Sequence, residues 1–175
     1  TKLVFESPTS ADIAAHCRTM LLFVGAPMKN NQVNSGGIGA HTAREQLMRI
    51  RDAGVKVFNV SPIRDDVGDF LDASWLPIRP NTDVALMLGI AHCLVSEGLH
   101  DLEFLARYTV GFDQFLPYLL GEIDGCPKDA NWAASITDIP STVIRDLARQ
   151  LAKERSVLGI SWSCSGSGLA SKAIG

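Results

Sequence analysis

The chain has 175 residues, of which 46% are hydrophobic and 20% charged. That balance suits a packed core that removes about 70% of the unfolded surface from water, and it excludes a disordered or fibrous chain. The 16 Lys and Arg against 19 Asp and Glu leave a net charge of −3, so no strong field draws the chain to nucleic acid.

Residues 19–25 are a β-rich apolar run that opens into a long loop, residues 26–39, carrying Pro27, three Asn and three Gly; this predicts a buried strand followed by a loop. Residues 42–53 place Ala43, Leu47 and Ile50 on one face, with Gly54 suited to the left-handed position beyond a helix. Residues 55–60 are β-branched and apolar, so strand, helix and strand follow in order, the pattern of a parallel sheet. A charged turn at residues 64–66 precedes a short segment, residues 74–79, read as another strand before Pro80. Thr82 is placed to cap a helix over residues 83–97 that is apolar on most sides and should be buried. Three short helices are expected over residues 102–108, 112–120 and 128–136, and a longer one after Pro140 with Ser141 as its cap. Residues 157–162 predict a fourth strand. From residue 164 the chain turns rich in Ser and Gly and is expected to be a loose tail. The fold class predicted is α/β, a Rossmann-like three-layer sandwich: a mostly parallel open sheet with helices on both faces.

In such sheets ligands lie beyond the carboxyl ends of the strands, so the residues just after each strand are the candidates. After the first come Gly25, Lys29, Asn30 and Gly37, with His41 beside the loop: glycines admit close backbone approach and Lys29 adds charge suited to phosphate. After the second come Ser61, Pro62 and Arg64, where a nucleotide ribose is read in Rossmann-type domains; a plain turn closed by Pro62 is the alternative. After the third come Pro80, Thr82 and Asp83. The Asp83 carboxylate either complements a helix dipole or accepts paired N–H donors from a guanine edge. After the fourth come Trp162 and Ser163. Neither the G-x-G-x-x-G nor the G-x-x-x-x-G-K-[ST] motif is present. Cys17, Cys93, Cys126 and Cys164 have no ligand spacing, so no metal site is expected within the chain. No nucleophile, base or carboxylate pair completes a catalytic set. The apolar stretches 20–28 and 84–95 are too short to span a bilayer. The opening Thr1, Lys2, Leu3 carries no signal pattern and reads as a piece of something longer.

The strand-end residues together resemble a known family. The run from Phe23 through Gly25, Ala26, Pro27, Met28, Lys29 and Asn30 to Gly36, Gly37, Ile38, Gly39 and His41 is similar to the dimethyl sulfoxide reductase family of molybdopterin oxidoreductases, in its biotin sulfoxide and trimethylamine N-oxide reductase branch. So are Asn59, Val60, Ser61, Pro62, Ile63, Arg64 and the run Arg79, Pro80, Asn81, Thr82, Asp83, Val84, Ala85, Leu86, Met87, Leu88. Matches continue through Gly98, His100, Asp101, Gly111, Phe112, Tyr118, Asp124, Trp132 and Arg145. The resemblance implies that residues 1–163 are the domain holding one molybdopterin guanine dinucleotide, and that residues 164–175 fall outside the family. It implies molybdenum carried by that cofactor, in bis form in the intact bacterial enzyme, which would reduce S-oxides or N-oxides such as biotin sulfoxide, dimethyl sulfoxide or trimethylamine N-oxide. The partners implied are the remaining domains of that enzyme and the small oxide substrate. The cofactor-binding roles implied fall on Gly25, Lys29, Asn30, Gly37, His41, Ser61, Pro62, Arg64, Pro80, Thr82, Asp83, Trp162 and Ser163, with no catalytic residue in this chain and no activity from it alone. Ser61 stands where the family commonly carries Asp. A non-catalytic nucleotide-binding or interaction module using the same crevice is the alternative.

Overall fold

A computed structural model describes residues 9–23, 25–26, 28 and 41–160. In chain order it contains α1 (Ser10–His16), β1 (Thr19–Phe23), α2 (Ala43–Asp52), β2 (Lys56–Val60), β3 (Ser74–Leu76), α3 (Asp83–Ser96), α4 (Leu102–Tyr108), α5 (Phe112–Leu119), α6 (Ala130–Thr137), α7 (Ser141–Lys153) and β4 (Ser156–Gly159). Two 3₁₀ turns, Arg64–Asp66 and Asp69–Leu71, lie between β2 and β3. The fold is α/β, as the alternating pattern predicts. Its sheet runs β3-β2-β1-β4, with β1 parallel to both β2 and β4. No described helix is long and apolar enough to cross a membrane.

The described residues fall into two compact units, one up to Trp75 together with Glu154–Ile160, the other Leu76–Lys153. Length alone points to a single core and does not anticipate this division. In the first unit all five residues of β1 are buried, as a strand flanked on both sides in a parallel sheet requires. Met20 and Leu22 of β1, Val57 of β2, Ile13 of α1 and Ile50 of α2 form one apolar cluster with Val67 and Leu71. Each such side chain contributes roughly 1.5–3 kcal/mol by leaving water. α1 was not expected from the sequence. Its start is fixed by a reciprocal capping box in which Thr9 accepts from the Asp12 N–H and the Asp12 carboxylate accepts from the Thr9 N–H.

In the second unit α3 packs on α6 and α7, burying Leu86, Leu88, Ile90 and Cys93 beside Ile144, Leu147 and Ala148. Gly89 permits the close approach: a Cβ there would lie 2.5 Å from the Cβ of Ala133. Several boundaries differ from expectation: β4 starts one residue early, at Ser156, and leaves Ile160 outside it, and α6 starts at Ala130 rather than at residue 128. β3 ends at Leu76 because Pro77 has no N–H to continue a ladder. Thr82 occupies the cap position of α3 without capping it; its hydroxyl donates to the Arg79 carbonyl at 2.7 Å. Ser141 is the first residue inside α7, where its hydroxyl accepts from Arg145 at 3.2 Å.

Candidate functional site

The register sets Thr19 opposite Lys56 and Phe23 opposite Val60, so β1 and β2 end side by side and their following residues leave the same edge of the sheet. Gly25 makes its turn with φ +67°, a left-handed conformation that side chains resist. A Cβ at Gly25 would also lie 2.5–2.8 Å from Asp66. The Ala26 N–H donates to the Asp66 carbonyl at 2.8 Å, and Ala26 pairs with Val67 in a parallel bridge. The two exits are thereby stitched together.

The turn after β2 ties up its own polar groups. Ser61 is fully buried; its hydroxyl donates to the Asp66 carboxylate and accepts from the Ile63 N–H at 3.1 Å. The Trp75 indole N–H donates to the Ser61 carbonyl at 2.8 Å. Pro62 and Arg64 are exposed. Asn59 is buried within β2 and donates from Nδ2 to the Arg64 carbonyl at 3.2 Å, while its Oδ1 has no hydrogen-bond partner among the described residues. A buried acceptor left open costs roughly 1–3 kcal/mol unless a donor reaches it. Asn59 lines a cavity of about 500 Å³ with Arg64, Asp65, Asp69, Gly68 and Trp75.

In the second unit the backbone leading to α3 is pinned. The Arg79 N–H donates to the Thr137 carbonyl at 3.0 Å, and the Arg79 guanidinium forks onto Asp138 at 2.7 and 3.1 Å. Pro80 is exposed and Thr82 buried. Asp83 opens α3 half-buried, with no ion-pair partner among the described residues. Burial holds its carboxyl above the usual carboxylate range, against a smaller opposing effect of its own backbone N–H. A half-buried carboxylate short of donors can accept a pair of N–H groups from a ligand.

His41 is exposed ahead of α2. Lys29, Asn30, Gly37, Trp162, Ser163 and the tail 164–175 lie outside the described residues. Among the described residues no group of three or more His, Cys, Asp or Glu is placed to hold a metal. Three residues that organise the β2 turn, Asn59, Asp66 and Trp75, were not among the sequence candidates. Asn59 could have been found, since a polar residue inside the run Val57, Phe58, Asn59, Val60 breaks an otherwise apolar strand.

These features define an α/β scaffold in which each unit carries its own polar groups at the end of an element. No protein-family model matches the chain. The chain is 48% identical over 158 residues to a biotin sulfoxide reductase of Cereibacter sphaeroides, a match covering 90% of this chain and 21% of that protein. It is 40% identical over 161 residues to a dimethyl sulfoxide/trimethylamine N-oxide reductase of Rhodobacter capsulatus, covering 91% and 19%. Among solved structures, acetylene hydratase from Pelobacter acetylenicus aligns with a TM-score of 0.63 and 25% identity over 91% of this chain and 20% of that one. The resemblance to sulfoxide and N-oxide reductases therefore runs through nine-tenths of the sequence. The chain spans about one-fifth of the length of the relatives it matches.

Proposed function

We propose that the chain is the nucleotide-holding segment of a molybdopterin oxidoreductase that reduces S-oxides or N-oxides, and that residues 1–163 hold the guanosine end of a molybdopterin guanine dinucleotide. The observation that carries this reading is the 48% identity to a biotin sulfoxide reductase across 90% of the chain. The residues present fit such a group: among the described residues the buried Asn59 Oδ1 has no donor, and the half-buried Asp83 carboxylate has no ion-pair partner. Each is a need that a ligand N–H or O–H group meets.

In this reading Asp83 accepts the paired N–H donors of the guanine edge, and Thr82 fixes the backbone that presents it. Gly25 allows the chain to turn sharply beside the ligand. Lys29, Asn30, Gly37 and His41 meet phosphate and pterin groups, Pro62 and Arg64 border the sugar, and Trp162 and Ser163 close the fourth strand's end. When bound, the cofactor supplies the two-electron oxygen-atom transfer that reduces the oxide. This chain supplies position and electrostatics to it, while the rest of a longer polypeptide supplies the second half of the cofactor site.

The test is to purify the full-length protein carrying this segment from molybdenum-replete cells, release nucleotide with acid, and measure GMP and molybdenum. Two equivalents of GMP per molybdenum atom is the expected result. A preparation without GMP would contradict the reading.

A further inference from the structure

We infer that Asp66, held by Ser61, is the acceptor for the ribose hydroxyls of the bound nucleotide; this rests on the nucleotide reading above. In open parallel sheets a carboxylate beyond the second strand takes the ribose hydroxyls. Here the position directly after β2 is Ser61, which cannot serve. It is fully buried, and its hydroxyl already donates to Asp66 and accepts from the Ile63 N–H.

Asp66 has what Ser61 lacks. Its side chain is partly exposed, and only one of its carboxylate oxygens is engaged among the described residues, by the Ser61 hydroxyl. Its backbone is locked to the exit of β1 by the Ala26 N–H at 2.8 Å and by the Ala26–Val67 bridge. The side-chain stem lies so near Gly25 that a Cβ there would come within 2.6 Å of the Asp66 Cβ. The carboxylate thus stands where β1 and β2 leave the sheet together. Five residues of turn have moved the acid from the strand end, and the buried Ser61 hydroxyl fixes its rotamer. Ser61 is a positioning residue, and the free oxygen of Asp66 is left for the vicinal O–H groups of a ribose, a charge-assisted contact.

The measurement is titration calorimetry with GDP, 2′,3′-dideoxy-GDP and ADP, with thermal melts to verify folding of each variant. GDP should bind about tenfold tighter than the dideoxy nucleotide, the factor typical of one hydrogen bond to a charged group. Asp66→Asn should bind the two alike while keeping its preference for GDP over ADP. Ser61→Ala should narrow the ratio without changing affinity for the dideoxy nucleotide. Equal binding of GDP and dideoxy-GDP by the unmodified protein overturns the assignment while leaving the nucleotide reading intact, as does an undiminished ratio in Asp66→Asn. Failure to bind GDP at all overturns both.

Discussion

The turn after β2 and the turn into α3 solve the same problem in opposite ways. After β2, Ser61 bonds to Ile63, Asp66 and Trp75 and is sealed from water. At the head of α3 the backbone is equally well pinned, yet the Asp83 carboxylate is half-buried with no ion-pair partner among the described residues. The first arrangement spends Ser61 and one Asp66 oxygen on shape and leaves the other Asp66 oxygen open among the described residues. The second keeps a carboxylate whose desolvation outweighs the opposing hydrogen bond from its own backbone, the kind of perturbed group that marks a candidate binding position.

The largest effect should come from breaking the shape of the first turn. Gly25→Ala combines a left-handed φ with a collision against Asp66, and should destabilise the first unit by about 3 kcal/mol in urea unfolding. A loss below about 1 kcal/mol would mean that the two exits are not locked together. Next, Gly89→Val would force α3 from α6 at Ala133 and should cost about 2 kcal/mol in the second unit. Its signature is a lowered midpoint with the nucleotide preference unchanged.

Asp83→Asn separates binding from stability. Affinity for GDP should fall about tenfold, as loss of a charged acceptor predicts, while Tm at pH 7 rises. Because burial raises the folded-state pKa above the ordinary 3.8, Asp83 favours folding below 3.8 and loses that contribution as pH rises through the folded value. The gain in the variant should therefore vanish on acidification. A fall in Tm at pH 7 would instead assign Asp83 to the helix dipole.

The smallest effect belongs to the exposed Glu97–Arg149 pair, joined at 2.8 and 2.9 Å. The Arg149 hydrogen bond holds Glu97 below its ordinary 4.5, so the pair stabilises above pH 4.5 and is lost as pH falls through the lowered folded value. Arg149→Gln should lower Tm slightly at pH 7 and not at all in strong acid. A Tm difference that persists in acid would assign the effect to packing.

What the sequence revealed follows the same division. The unit β1, α2, β2 was legible because apolar runs and an amphipathic helix alternate over short distances, with Gly54 marking the stop. α1 escaped because seven residues show little periodicity, although the Thr9 and Asp12 spacing carried its capping signal. The start of α3 at Asp83 was legible from the long apolar run that follows it. The Ser61–Asp66 bond was not, since nothing local in Ser61, Pro62, Ile63, Arg64, Asp65, Asp66 says that a turn will fold the sixth residue back on the first.

The central claim is that this chain recognises a guanine nucleotide, and calorimetric comparison of GDP with ADP tests it most directly. The account predicts at least tenfold tighter binding of GDP, with that preference abolished by Asp83→Asn. Equal affinity for the two nucleotides, or a preference that survives Asp83→Asn, would contradict it.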